Sequence, residues 1–335
     1  MVHDKKSNKA IGTGKITDIS KKKFFWWSLP AITSLVLWVL GRVMVANSPK
    51  SYAIQAVCLS ALPWGLGLWT IWALVLAWKW KAKWYWLFLC TPWWFGIPQC
   101  APSTEPNGQD ILAVNVNAFT GNQAQLENAL ADMEADIVIV IEKRAEQIRG
   151  MTRVADDFDP PLHRASHHMA VFCRNQCKAW VSPQIGSDSM AMSFALVQPR
   201  QGVCIIGIHA PPPAPYDSTG TIPYILFLAK HIENGVLRED WQVCRKGDSV
   251  MVMGDMNSVP ASRPYRLLLA TGLTDFRGGT GVFGGSWPVG GGWPLVPFFR
   301  LDHLLATKNL PIDGVHSVRV PDSDHFGIRA WLRSD

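Results

Sequence analysis

Charged residues are scarce in this sequence. They make up 17% of its 335 residues, whereas hydrophobic residues make up 48%. About a quarter of the residues of an ordinary soluble domain are charged, so this balance is atypical of one. Acidic residues are nearly missing from the first 100 positions, which contain 2 Asp and Glu, 12 Lys and Arg, and 12 of the 17 Trp. This composition indicates that the N-terminal third is associated with a membrane.

The rest of the chain lacks an excess of basic charge. Residues 101–335 contain 20 Lys and Arg and 24 Asp and Glu, so the overall charge of +6 comes from the N-terminal third. A nonspecific nuclease must neutralise many phosphates, and its affinity comes largely from Lys and Arg. The charge balance therefore argues against nucleic acid as the substrate, although a local basic patch is compatible with it.

Three apolar stretches occupy the N-terminal third, at about 24–46, 52–78 and 84–98. A helix needs roughly 20 apolar residues to cross the hydrocarbon core, which the first two satisfy, whereas the third is short and contains Pro. The alternative is one signal anchor followed by buried core helices. The predicted organisation is a basic cytoplasmic tail (1–23), a transmembrane region (24–98), a linker (99–109) and a catalytic domain (110–335).

Lysines predict the orientation of these helices, because positive charge favours the cytoplasmic side. Seven lysines precede the first span and three lie between the second and third, but the loop between the first and second carries only Lys50. Three crossings place the domain outside the cytoplasm; without the third crossing it is cytoplasmic.

Cys173 and Cys177 are four residues apart. Outside the cytoplasm, where the environment is oxidising, they could form a disulfide bond; the alternative is two unpaired thiols.

Short β-rich runs alternate with amphipathic segments from Ile111 onward. Runs such as 136–141 and 203–208 are apolar almost throughout, so both of their faces are expected to be covered. The pattern predicts a layered α/β domain of stacked sheets flanked by helices. The predicted strands are 111–117, 136–141, 169–174, 203–208, 249–254, 300–306 and 315–320, and the predicted helices are 122–133, 222–235 and 260–271.

Polar residues collect where these runs end. Because ligands of α/β folds gather at strand ends, we expect these residues to form one site. Oxygen donors suit a hard cation such as Mg²⁺ or Mn²⁺, and histidines beside carboxylates suit proton transfer. The set contains no thiolate, and its histidines are too scattered for a three-His zinc centre. The residues are Asn117, Glu142, His209, Asp255, Asn257, Asp302, His303, Asp324 and His325.

The order of these residues resembles that of the endonuclease/exonuclease/phosphatase superfamily over residues 111–332. The resemblance implies a four-layered α/β sandwich, with two stacked mixed β-sheets flanked by helices, and hydrolysis of a phosphate ester by metal-activated water. The motifs that carry it are Asn117, Glu142, His209, GDMN (254–257), Asp302 and SDH (323–325).

The resemblance also implies a role for each residue. Asp255 orients or deprotonates the attacking water, and Asn257 helps to place the phosphate. His209 and His325 donate to the phosphate oxygens, while Asp324 holds the geometry of the site. Arg144 either contacts phosphate or faces solvent. The implied principal metal ligand is Glu142, with Asn117 beside it, and Asp302 either contacts a second metal or orients a histidine.

Two apolar segments lie beside the predicted site, at 210–215 and 284–299. Trp287 and Trp293 in the second are predicted to contact lipid or a prenyl chain; the alternative is a packed surface loop. Together with the N-terminal spans, the HAPPP and SWP motifs are similar to those of a membrane-anchored bacterial branch associated with glycopeptide resistance and polyprenyl-pyrophosphate phosphatase activity.

That similarity implies a lipid-linked substrate such as undecaprenyl pyrophosphate. With the three predicted crossings and the lysine asymmetry, we expect a multi-pass protein of the bacterial cytoplasmic (inner) membrane with an extracytoplasmic catalytic domain. The sequence implies no particular protein partner. The alternatives are a phospholipid phosphodiesterase, an extracytoplasmic metal-dependent nuclease and a non-catalytic binding or resistance protein on the same fold. The complete set of predicted ligands argues against the non-catalytic alternative.

Overall fold

The computed structural model describes most of the domain and little of the N-terminal third. The predicted tail, the three predicted spans and most of the linker lie outside the described residues, apart from six helical positions between 32 and 40. None of the helices in the described part combines the length and apolar character that a membrane crossing requires. The described stretches are 108–115, 123–142, 145–156, 168–181, 193–212, 221–233, 243–260, 262–276, 285–289, 297, 299–321 and 323–333.

The described residues form two β-sheets, and the first has six strands. Neighbouring strands β1 and β2 are parallel, and the other four neighbouring pairs are antiparallel. In spatial order the strands are β11 (Ile312–Arg319), β12 (Phe326–Arg333), β1 (Gly108–Asn115), β2 (Ile137–Glu142), β4 (His168–Cys173) and β3 (Thr152–Asp156).

The second sheet also has six strands and repeats this arrangement. Strands β7 and β8 are parallel, and the remaining neighbouring pairs are antiparallel. In spatial order the strands are β5 (Lys178–Val181), β6 (Ser193–Gln198), β7 (Val203–His209), β8 (Ser249–Asp255), β10 (Asp302–Thr307) and β9 (Leu273–Asp275).

Apolar side chains hold the sheets and helices in four layers. The inner faces of the two sheets share one core, which includes Ile139, Ile205 and Met253. Helix α1 (Gln123–Asp132) packs on the outer face of the first sheet. Helices α2 (Thr221–Glu233) and α3 (Arg263–Ala270) pack on the outer face of the second. Central strands are therefore buried on both faces, which explains their continuous apolar runs, and the predicted α/β sandwich is confirmed.

The structure differs from the predicted elements in two respects. Five strands, β3, β5, β6, β9 and β12, were not predicted. The strand predicted at 300–306 begins two residues later, so Asp302 and His303 are the first residues of β10.

Two disulfide bonds cross-link the part of the domain that the structure describes. Cys173 is bonded to Cys177, which decides between the two alternatives that the sequence left open. A second bond joins Cys204 of β7 to Cys244, 40 residues further along the chain, and was not predicted.

Gly254 allows β7 and β8 to pair closely next to the end of β8. Its φ is 127°, a value that favours glycine. A Cβ atom at this position would lie 2.4 Å from the carbonyl oxygen of Ile208. Both the backbone conformation and the neighbouring strand therefore require glycine before Asp255.

A buried polar cluster lies between β10 and α3. Arg300 donates two hydrogen bonds to Asp275, at 2.9 and 2.6 Å, and the hydroxyl of Tyr265 donates to the same carboxylate at 2.5 Å. The ring of His303 lies 4.9 Å from that of Tyr265, and its Nε2 donates to the carbonyl oxygen of Ser258 at 2.6 Å. These contacts indicate a structural role for His303. Because side chains alternate along a strand, it points away from the preceding Asp302, which contacts His325.

We predict that Gly254→Ala destabilises the domain more than Gly272→Ala does. Gly272 also has a positive φ, of 90°, but nothing lies within 4 Å of an added Cβ atom there. Backbone strain alone costs about 1 kcal/mol at Gly272, and the clash at Gly254 raises the cost to about 2 kcal/mol or more. Thermal unfolding of the full chain in detergent measures the loss of stability of each variant. Equal losses would show that the contact with Ile208 is not the reason for glycine.

We also predict that His303 makes stability depend on pH. Burial lowers its pKa to about 4 from the ordinary 6.5. Because the folded state disfavours the proton, the stability that His303 contributes is complete above pH 6.5 and is lost as the pH falls towards 4. Between pH 7 and pH 5, the wild type should lose about 2 kcal/mol more free energy of unfolding than His303→Gln. Urea unfolding at both pH values tests this, and equal losses would contradict it.

Candidate active site

The ends of five strands meet at one edge of the sandwich. β2 ends at Glu142, β7 at His209 and β8 at Asp255. β10 runs antiparallel to β8, so its first residue, Asp302, pairs with Asp255. β12 is antiparallel to β1 and begins at the same edge, directly after His325. The topology therefore brings five of the predicted site residues together from both sheets.

Glu142 and His209 form a contact between the two sheets. Nε2 of His209 lies 3.1 Å from Oε1 of Glu142. Burial lowers the pKa of His209, but the hydrogen bond and the negative charge of Glu142 outweigh burial, so the pKa is raised. Glu142 has a φ of 71°. This left-handed conformation is uncommon for a residue with a side chain and is concentrated at functional sites.

Helix α2 supports the segment that follows β7. The fully buried Tyr224 forms a hydrogen bond through its hydroxyl with the backbone of His209. Thr221, the first residue of the helix, donates to the carbonyl oxygen of Pro211 at 2.7 Å. Sequence reasoning missed both residues, because within an amphipathic helix they resemble ordinary core and capping positions.

Asp255 and Asn257 form a compact turn at the end of β8. The backbone N–H of Asn257 donates to Oδ1 of Asp255 at 2.7 Å, and its side-chain amide donates to the carbonyl oxygen of Ala210 at 2.7 Å. Asn257 has a φ of 45°, which asparagine tolerates well. Burial, together with the negative charge of Asp302, raises the pKa of Asp255 to about 6, although His325 and His209 oppose the shift.

His325 and Asp302 form a second contact between the sheets. Nδ1 of His325 donates to Oδ2 of Asp302 at 2.8 Å, and both side chains are buried. Nε2 of His325 lies 4.0 Å from Oδ2 of Asp255. Burial lowers the pKa of His325, but the negative charges of Asp302 and Asp255 have the larger combined effect and raise it to about 10. The two carboxylates therefore favour the protonated form of His325.

The segment 285–289 lies beside this contact. The indole N–H of Trp287 donates to Oδ2 of Asp324 at 3.1 Å, and its ring centroid is 6.3 Å from that of His325. Trp287 was predicted to bind substrate and Asp324 to hold the geometry of the site. The structure adds a direct hydrogen bond between the two residues.

Among the described residues, two groups of side chains have donor atoms close enough to hold a metal ion. One consists of Glu142, His209 and Asp255, and the other of Asp255, Asp302 and His325. Within each group the donor atoms lie within 4.8 Å of one another. Asp255 belongs to both groups and is therefore the centre of the candidate site.

Three predicted site residues lie outside the described residues. They are Asn117, predicted as a metal ligand, Arg144, predicted to contact phosphate, and Trp293, predicted to contact the substrate. Their roles stay predictions.

Comparison with known proteins gives one family. A model of the Endonuclease/Exonuclease/phosphatase family matches residues 112–325, which include all the site residues described above. A comparison with curated proteins gives no match.

Three solved structures are similar to this chain in fold. A 3′ phosphatase from Neisseria bound to a product DNA hairpin has a TM-score of 0.50 and 17% identity, covering 68% of this chain and 100% of that chain. A 3′-5′ exonuclease from Neisseria meningitidis has a TM-score of 0.49 and 17% identity, covering 67% and 100%. A mannosyl-6-phosphatase from Bacteroides thetaiotaomicron has a TM-score of 0.45 and 15% identity, covering 67% and 99%. At such identities the likeness concerns the fold.

Proposed function

Because the chain belongs to the endonuclease/exonuclease/phosphatase family, whose members hydrolyse phosphoester bonds, we propose that it is a membrane-anchored, divalent-metal-dependent phosphatase. We propose as its substrate a lipid-linked phosphate such as undecaprenyl pyrophosphate. The observation that carries the proposal is the convergence of two groups of potential metal ligands on Asp255.

The side chains at the site fit a hard divalent cation. Carboxylate oxygens of Glu142 and Asp255 lie together at the edge of the sandwich, and such donors suit Mg²⁺ or Mn²⁺ better than a thiophilic metal. Glu142 is the proposed principal ligand. Asn117, which lies outside the described residues, is a second proposed ligand, and Asp302 is proposed to contact a second metal. A bound cation supplies Lewis acidity, which polarises a phosphoryl oxygen and favours deprotonation of water.

Asp255 is the proposed base that orients or deprotonates the attacking water. Asn257 supports this role, because its backbone and side-chain hydrogen bonds fix both Asp255 and the chain after His209. Asn257 is also proposed to help place the phosphate. Arg144, which is not among the described residues, is proposed to contact the phosphate.

His325 and His209 are the proposed donors to the phosphate oxygens. Asp302 accepts the Nδ1 proton of His325, which leaves Nε2 facing Asp255 across 4.0 Å. A fixed donor at this position stabilises the negative charge that develops in the transition state. Asp324 holds the loop that carries His325 through its hydrogen bond with Trp287.

Several features support a lipid substrate and an extracytoplasmic site. Residues 101–335 have more acidic than basic residues, and three apolar stretches exceed what a simple tether requires. Trp287 lies beside His325, and Trp293 belongs to the same apolar segment. Two disulfide bonds are typical of an oxidising compartment, in agreement with the orientation that the lysines predict.

A nuclease is the second candidate function. The Neisseria 3′ phosphatase that shares this fold is bound to a DNA hairpin. A basic groove leading to Glu142 would favour that function, and an apolar mouth facing the membrane would favour the lipid phosphatase.

We predict metal-dependent phosphate release by the full chain purified in detergent. Undecaprenyl pyrophosphate, a phospholipid and single-stranded DNA are offered in parallel with Mg²⁺, and the lipid pyrophosphate should be cleaved fastest. Glu142→Ala and Asp255→Asn should lower kcat at least about 100-fold, because each removes a group that acts on the reacting atoms. Asp132→Asn is the control, since Asp132 is exposed and pairs with Arg149 on the surface.

Two results would contradict this proposal. Cleavage of DNA alone would replace the lipid substrate by nucleic acid. Equal rates for the wild type and Glu142→Ala would show that the candidate site does not take part in the reaction.

Chelation with EDTA should abolish activity, and Mg²⁺ or Mn²⁺ should restore it.

A further inference from the structure

Ser286 connects the two chain segments that carry Asp302 and His325. It is almost completely buried, with 2% of its surface exposed. Its hydroxyl oxygen accepts hydrogen bonds from the backbone N–H groups of Leu301 and Asp302, at 2.9 and 3.0 Å. Its carbonyl oxygen accepts a hydrogen bond from the N–H of Phe326, the residue after His325, at 2.9 Å.

The hydroxyl of Ser286 holds the first residue of β10 in place. Asp302 is 4% exposed, so its backbone N–H has little access to water. A buried donor without a partner costs about 1–3 kcal/mol, and the chain moves to avoid that cost when it can. Any such movement at Asp302 changes the distance between its carboxylate and Nδ1 of His325.

The residues next to Ser286 hold the opposite side of the same contact. Besides the indole bond from Trp287, the N–H of Val289 donates to the carbonyl oxygen of Asp324 at 2.8 Å. The segment 286–289 therefore contacts the backbone on both sides of the Asp302–His325 hydrogen bond and contributes no atom to that bond.

We propose that Ser286 is a positioning residue, which aligns Asp302 and His325 for phosphoester hydrolysis through hydrogen bonds to the backbone. This inference rests on the proposed function. It assigns to Ser286 an effect on the rate of the chemical step and none on substrate affinity, because its hydroxyl oxygen accepts hydrogen bonds from the protein backbone.

Substitutions of Ser286 test the proposal in the phosphate-release assay, with the substrate that the wild type cleaves fastest. Ser286→Ala should lower kcat about 10-fold to 100-fold, as losses of supporting hydrogen bonds around a metal site do. KM should stay within about twofold of the wild-type value, which identifies an interaction specific to the transition state. Ser286→Thr keeps the hydroxyl, so its kcat should stay close to the wild-type value.

Ser262→Ala is the matched control. Ser262 is fully buried, like Ser286, but its hydroxyl has no hydrogen-bond partner among the described residues. Its replacement should leave kcat unchanged. Ser286→Cys, which supplies a weak acceptor of similar size, should give an intermediate kcat, and it provides the measurement if Ser286→Ala does not fold.

The outcomes separate this inference from the function on which it rests. Equal activity of the wild type and Glu142→Ala overturns the proposed function itself. If Glu142→Ala is inactive but Ser286→Ala and Ser286→Cys keep wild-type kcat, the positioning role alone is overturned. The positioning role is also overturned if Ser286→Ala raises KM at constant kcat, or if Ser286→Thr lowers kcat as much as Ser286→Ala does.

Discussion

The hydrogen bond between His325 and Asp302 joins the two sheets at the candidate active site. Asp302 begins a strand of the second sheet, and His325 directly precedes a strand of the first. The contact between Glu142 and His209 also bridges the sheets. Here the acid belongs to the first sheet and the histidine to the second, the reverse of the His325–Asp302 pair. The site thus exists only while the two sheets keep their relative position, which the shared apolar core maintains. The geometry of the candidate site therefore depends on the buried aliphatic side chains of that core.

The electrostatics of the site centre on Asp255. This buried carboxylate lies close to the carboxylate of Asp302 and between two histidines, and its raised pKa reflects its burial and the like charge beside it. Buried charges are stable only when they are paired or bind a metal. The histidines supply part of the compensation, and a divalent cation is the kind of ligand that supplies the rest.

Much of the site could be predicted from the sequence, because the chemistry lies at the ends of strands that are apolar throughout. The runs that became β2, β7 and β8 were located to within one residue, and Glu142, His209 and Asp255 are their last residues. Short strands such as β5 and β9 have too few residues for a clear pattern. The role of Ser286 depends on hydrogen bonds to residues 15 and 16 positions away, and the partner of Cys204 cannot be deduced from spacing alone.

The bond between Cys204 and Cys244 has a consequence for how the domain opens. It closes a covalent ring that contains most of β7, all of α2 and the chain leading to β8. A cross-link across about 40 residues removes conformational entropy from the unfolded chain worth about 4 kcal/mol. The ring restricts local opening of the unit that presents His209 and its neighbour Asp255. Proteolysis or denaturant should therefore disrupt the antiparallel outer strands before it disrupts the pairing of His209 with Asp255.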